Sequence, residues 1–105
     1  MKNELKVFEY EGKSITFDLG NGDVMVNATE MAKPFGKSVK DWTRLQSTDE
    51  YLNALKSVKG QMCLIESKAG NPNVGGGTWM HEDVALEFAR WLNPIFAIWC
   101  NDRHK

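Results

Sequence analysis

At 105 residues, with 42% hydrophobic and 26% charged side chains, the sequence is the size of one domain with its own core and excludes a disordered tail. Neither the opening Met1-Lys2-Asn3-Glu4 nor anything after it is apolar for long enough to form a signal peptide or a membrane span, so a cytoplasmic chain with no membrane partner is expected. The net charge of −1 argues at first against nucleic acid, but the balance is −3 over residues 1–30, +3 over 31–68 and −1 over 69–105, so any phosphate-facing surface is expected in the middle of the chain.

Leu5–Tyr10, the turn Glu11-Gly12-Lys13 and residues 14–19, where Ile15 and Phe17 alternate with polar neighbours, read as a β-hairpin. Gly20-Asn21-Gly22-Asp23 is a second turn and Val24-Met25-Val26 a short third strand. The period then changes. Asn27 is placed to cap a helix, with Glu30 as its capping-box partner. Ala28, Met31, Ala32 and Phe35 fall on one helical face, and Pro34 and Gly36 limit that helix to about two turns. Ser38 caps a second short helix with Val39, Trp42 and Leu45 on its inner face. Ser47-Thr48-Asp49-Glu50 is another capping box, opening a third helix with Tyr51, Leu52, Leu55 and Val58 inward and Gly60 at its end. Residues 62–65 form an apolar strand, 67–77 a loop, and Thr78-Trp79-Met80 an extended segment. Glu82–Leu92 is a helix with Val84, Phe88, Trp91 and Leu92 inward and Asp83, Glu87 and Arg90 wet. Asn93-Pro94 breaks it, and residues 95–100 form a last helix, apolar nearly all round and so expected to be buried. Helical character runs on into residues 101–105, which suits either a module of a longer protein or a basic helix end.

Lys37, Lys40 and Arg44 stand at i, i+3 and i+7, on one face of a helix that begins near Lys37. Like charges so spaced cost a few tenths of a kcal/mol, which a negative partner offsets. Two short helices joined across Phe35-Gly36-Lys37 have the spacing of a helix-turn-helix, whose second helix enters the DNA major groove. There Arg44 is suited to guanine, and Thr43 and Gln46 to other base edges. The Gly-rich segment 68–77 offers Lys68, Asn71 and Asn73 as donors, and its glycines let backbone N–H groups approach phosphates, as at the tip of a wing.

Rival chemistries are poorly supplied. Gly36-Lys37-Ser38 imitates the end of a P-loop, but Met31 stands where that loop needs glycine. Cys63 and Cys100 lie far apart, which indicates no disulfide framework and a reducing compartment. With His81 and His104 they lack the paired spacing of a zinc site, and both sit in apolar runs, where cysteine acts as a small core residue. His81 occupies a helix N-cap position and has no nucleophile or paired carboxylate beside it. No catalytic residue, metal site or cofactor is expected.

Val26-Asn27-Ala28-Thr29-Glu30-Met31-Ala32, Gly36-Lys37, Trp42-Thr43-Arg44-Leu45, Gly77-Thr78-Trp79-Met80-His81-Glu82-Asp83-Val84-Ala85 and Ala89-Arg90-Trp91-Leu92-Asn93-Pro94-Ile95-Phe96-Ala97 follow one another in an order that resembles the KilA-N domain. This family occurs in bacteriophage, large DNA virus and bacterial proteins and is related to the fungal APSES DNA-binding domain. The resemblance spans nearly the whole chain from Gly22 on. It implies a single domain over residues 1–105 with an α+β fold: a winged helix-turn-helix-like core, a small antiparallel sheet and a handful of helices, five by the periods above. It also implies double-stranded DNA as partner and a place as the N-terminal module of a phage-type transcription regulator or antirepressor. The helix-turn-helix falls on residues 29–44 and the wing on 66–78, with Trp79, His81, Trp91 and Pro94 as scaffold. The basic stripe does not distinguish DNA from RNA. The alternative is a protein-interaction module that titrates a repressor or host factor without touching nucleic acid, and a homodimer suits either reading.

Overall fold

The alternation of Ile15 and Phe17 with polar neighbours builds a strand with one buried face. β1 (Leu5–Tyr10) and β2 (Lys13–Asp18) form an antiparallel hairpin with Leu5 opposite Asp18 and Tyr10 opposite Lys13. The computed structural model describes residues 5–19, 24–60, 64–68 and 77–103, so the expected turn at Gly20-Asn21-Gly22-Asp23 lies outside the described residues. β3 (Met25–Asn27) pairs with β2, β5 (Gly77–His81) with β3, and β4 (Ile65–Lys68) with β5, all antiparallel. The resulting sheet has five strands in the order β1-β2-β3-β5-β4.

The helices are α1 (Ala28–Ala32), prolonged by a 3-10 turn over Lys33–Phe35, then α2 (Val39–Thr43), α3 (Gln46–Lys59), α4 (Glu82–Leu92) and α5 (Pro94–Arg103). Together with the sheet they make the expected α+β fold. Ile15, Phe17, Val26 and Met80 from the sheet join Met31, Val84, Phe88 and Phe96 from the helices in one core, each at most 1% exposed. Burying a side chain of this size contributes about 1.5–3 kcal/mol. An aromatic seam closes the hairpin over α5, with Tyr10 at 4.8 Å from Phe96 and 5.2 Å from Trp99, and Phe8 at 5.3 Å from Phe17.

Side-chain caps start α1, α4 and α5. Asn27 Oδ1 accepts the N–H of Glu30 (3.1 Å), His81 Nδ1 that of Asp83 (3.2 Å), and Asn93 Oδ1 those of Ile95 (2.9 Å) and Phe96 (3.1 Å). His81 is thus an N-cap, as its position suggested, and Trp79 beside it is 1% exposed. The Glu30 carboxylate reaches further than a capping box requires: it accepts the N–H of Thr16 at 2.6 Å and ties α1 to β2.

Several local expectations are corrected. α2 ends at Thr43 and α3 opens at Gln46 with Leu45 in the cap position, so Ser47-Thr48-Asp49-Glu50 lies inside the first turns and caps nothing. The chain re-enters helix two residues after α2, before the expected cap is reached. Thr48 is instead buried, with its hydroxyl unpartnered. Leu45 and Val58 are 37% and 81% exposed, because α3 rests on its neighbours through Tyr51 and Leu55 and leaves its far end in water. β4 begins at Ile65 and takes Ser67 and Lys68 into the sheet opposite Thr78 and Gly77, where a loop was expected. In α5 Phe96, Ala97 and Cys100 are buried, but Ile95 and Ile98 are 69% and 65% exposed, because core covers only one side of that helix.

Candidate functional site

The turn between α1 and α2 is set by its glycine. Gly36 has φ +63° in the left-handed region, where a side chain is disfavoured, and its N–H donates to the Lys33 carbonyl at 3.2 Å while that of Lys37 donates to Ala32 at 3.3 Å. Ser38 then opens α2 by accepting the Lys40 N–H at 3.1 Å. Trp42 is the buried residue of α2, and its ring lies 5.2 Å from Phe88 of α4.

Because α2 begins at Val39, Lys37 precedes its cap and Arg44 follows its last residue, so the three cations do not run along one helix face as the i, i+3, i+7 spacing predicted. Tertiary structure brings two of them together in another way. Lys37 and Lys40 line one side of a cleft of about 360 Å³ whose walls also include Lys33, Ser38, Thr29 and, from β5, Thr78. Lys33 lies outside the spacing argument, and no local sequence signal singles it out.

The individual side chains are differently engaged. Lys37 Nζ donates to the Trp91 carbonyl (3.3 Å) and sits 4.7 Å from the centre of the Trp91 ring. Lys40 and Lys33 are exposed. Arg44 is 74% exposed and stands 3.8 Å from Asp41, an exposed pair worth little to stability. The Thr43 hydroxyl donates to the Lys40 carbonyl (3.1 Å) and the Gln46 amide to Glu50 (3.1 Å). Lys68 ends β4, but its side chain lies outside the described residues, as do Asn71 and Asn73.

The β4–β5 hairpin is fastened to α1 at the loop end of its strands. Thr29 Oγ1 accepts the Thr78 N–H at 3.0 Å across 49 positions of sequence. Gly77 beside it has φ +111°, and a Cβ there would lie 2.9 Å from Thr29 Oγ1 and 3.1 Å from Thr29 Cβ, so this approach requires glycine. The end of the hairpin and the first helix of the α1–α2 pair are thereby fixed to one another.

On the opposite flank Tyr51 donates to the Asp83 carbonyl (3.2 Å) and Lys59 lies 3.4 Å from the Asp83 carboxylate, which moors α3 to the start of α4. Burial first, then the Glu87 and Asp83 carboxylates, push the Tyr51 phenol above its usual pKa. A second groove of about 450 Å³ runs between α4 and α5, lined by Leu86, Arg90, Pro94, Ala97, Ile98 and Asn101. Among the described residues no group of three or more His, Cys, Asp and Glu is placed to hold a metal ion, and no helix is long and apolar enough to cross a membrane.

These features define a small α+β domain in which a pair of short, lysine-bearing helices and the start of β5 meet at one cleft. The chain belongs to the KilA-N domain family, whose model matches residues 9–105. Protein kilA of Escherichia phage P1 is 32% identical over 92 residues, which is 86% of this chain and 33% of that protein. The chain therefore spans about a third of the length of this curated relative. No solved structure matches the chain.

Proposed function

We propose that the chain is a non-enzymatic, double-stranded DNA-binding module of a phage-type regulator. Residues 29–44 act as its helix-turn-helix and the β4–β5 hairpin as its wing. One observation carries this reading. The Thr29–Thr78 link holds the loop end of the hairpin strands against the helix pair, beside the cleft that Lys37 and Lys40 share. The basic helix pair and the hairpin are thus presented together to one partner, as a helix-turn-helix with a wing requires. Lys40 and Arg44 meet phosphates or guanine edges, Thr43 and Gln46 read neighbouring bases, and Lys68, Asn71 and Asn73 reach the backbone from the wing. The domain acts as one unit over residues 1–105, in the cytoplasm, as the DNA-reading part of a larger protein.

The test is duplex binding measured over a series of salt concentrations. Counterion release makes the parent's affinity fall steeply with salt, and the Lys40→Glu/Arg44→Glu double variant loses binding and lowers the salt slope by about two. A double variant that binds like the parent removes α2 from the interface. A protein-interaction module that titrates a repressor is the second reading. It is favoured by Ile95 and Ile98, exposed beside the α4–α5 groove. It requires a salt-insensitive protein partner and no DNA shift at low salt.

A further inference from the structure

The cleft between α1, α2 and the start of β5 is lined by lysines and hydroxyl side chains. Lys33, Lys37 and Lys40 converge on it from the 3-10 turn, the inter-helix turn and α2, and the hydroxyls of Thr29, Ser38 and Thr78 stand among them. Among the described residues, neither aspartate nor glutamate lines it. The lysines are not equivalent. The Lys37 ammonium is engaged by the Trp91 carbonyl and ring, so it props the wall of the cleft. All three are exposed, but among the described residues Lys33 and Lys40 have no such engagement of their ammonium groups. Of the hydroxyls, Thr29 and Ser38 accept backbone N–H groups and retain their own hydrogens for donation. Two ammonium groups and several hydroxyl donors around a concave surface are the recognition set for a tetrahedral phosphate oxyanion.

We infer that this cleft seats one backbone phosphodiester of duplex DNA, with Lys33 and Lys40 as its cationic contacts and Lys37 as a positioning residue. The inference rests on the DNA-binding reading above and adds to it a residue, Lys33, and a fixed point on the backbone. Since the cleft includes both Thr29 of the helix pair and Thr78 of the hairpin, a phosphate seated there sets the register of both elements on the duplex. A contact of this kind carries no base information, so its loss weakens binding equally for every sequence.

The experiment compares the intact chain with Lys33→Gln and with Lys59→Gln, an equal change of charge on α3, on several unrelated DNA duplexes and one RNA duplex across a salt series. Lys33→Gln is expected to weaken DNA binding several-fold, to the same extent on each sequence, and to lower the salt slope by about one, with Lys59→Gln unchanged in both. Parent-like slope and affinity in Lys33→Gln, or an equal loss in Lys59→Gln, overturn the phosphate seat and leave the DNA-binding reading standing. A parent that binds no DNA duplex at low salt, or that binds only the RNA duplex, overturns both. Far-ultraviolet circular dichroism of both variants confirms that exposed lysines, not folding, have been changed.

Discussion

α4 and α2 lie in contact through Phe88 and Trp42, yet they are held in place by different means. α4 spans 11 residues with a side-chain cap and buries Val84, Ala85, Phe88, Ala89 and Leu92. α2 has five residues and buries Trp42. A helix of one turn cannot sustain itself in water, because nucleation costs more than one turn returns. α2 therefore depends on the contacts that join it and its flanking turns to the larger body: Trp42 on Phe88, Lys37 on Trp91, and the Thr29–Thr78 link beside it. Lys40 rides on α2, and Lys37 and Arg44 flank it, so these cations depend on an element with one buried side chain. Their geometry is borrowed from the scaffold, so scaffold substitutions are expected to reach the proposed binding surface, whereas Lys40 and Arg44 substitutions leave the scaffold intact.

The severest test of that asymmetry is Phe88→Ala. Phe88 is fully buried and its ring meets Trp42 at 5.2 Å and Trp91 at 5.9 Å. Truncation is expected to cost about 3–5 kcal/mol in chemical denaturation. Wherever a folded fraction persists, it should weaken duplex binding beyond the loss of folded protein. A cost below about 1 kcal/mol sinks the idea that α4 carries α2, since it would mean that the core closes without this ring.

Gly77→Ala comes next. Its φ of +111° and the 2.9 Å approach to Thr29 Oγ1 oppose a side chain on two independent grounds. The expected loss is about 1–3 kcal/mol. Adding Thr29→Ala relieves the close approach but not the backbone conformation, so the double variant should recover part of the loss, with a coupling of at least about 0.5 kcal/mol in the cycle. Strict additivity would show that Gly77, at the loop end of the hairpin strands, does not press on α1.

The same contrast decides what could be read before any coordinates. α4 was legible to the residue because 11 positions give three full turns of periodicity, bounded by His81 and by Asn93-Pro94. The first hairpin is legible too, since Ile15 and Phe17 alternate and Gly12 turns, though its second strand runs over Lys13–Asp18, one residue earlier than expected. α2 was found through Ser38 and Trp42, but one turn cannot fix a face, and the shared face assigned to Lys37, Lys40 and Arg44 failed when the helix began two residues after Lys37. α3 ends at Gly60 as expected, but its start falls earlier, because Ser47-Thr48-Asp49-Glu50 satisfies a local capping rule that a short connection overrides. In the cleft, Lys33 and the Thr29–Thr78 link were out of reach because they arise from pairing of β3 with β5, which no local pattern encodes.

The smallest expected effect addresses Lys37 itself. If it is a strap, Lys37→Gln removes a cation lying 4.7 Å over the Trp91 ring and should cost about 0.5–1 kcal/mol, the range for exposed cation–π pairs. Trp91→Leu should cost more through lost packing, and the two changes together should cost less than their sum, because each already abolishes the shared contact. The salt slope of duplex binding should then fall less in Lys37→Gln than in Lys33→Gln. If instead Lys37 is a free phosphate contact, stability is unmoved, the cycle is additive and the slope falls by about one. The two patterns differ in every measured quantity. They separate a lysine that holds the helix pair on α4 from one that holds DNA, at a cation where the scaffold and the exposed surface meet.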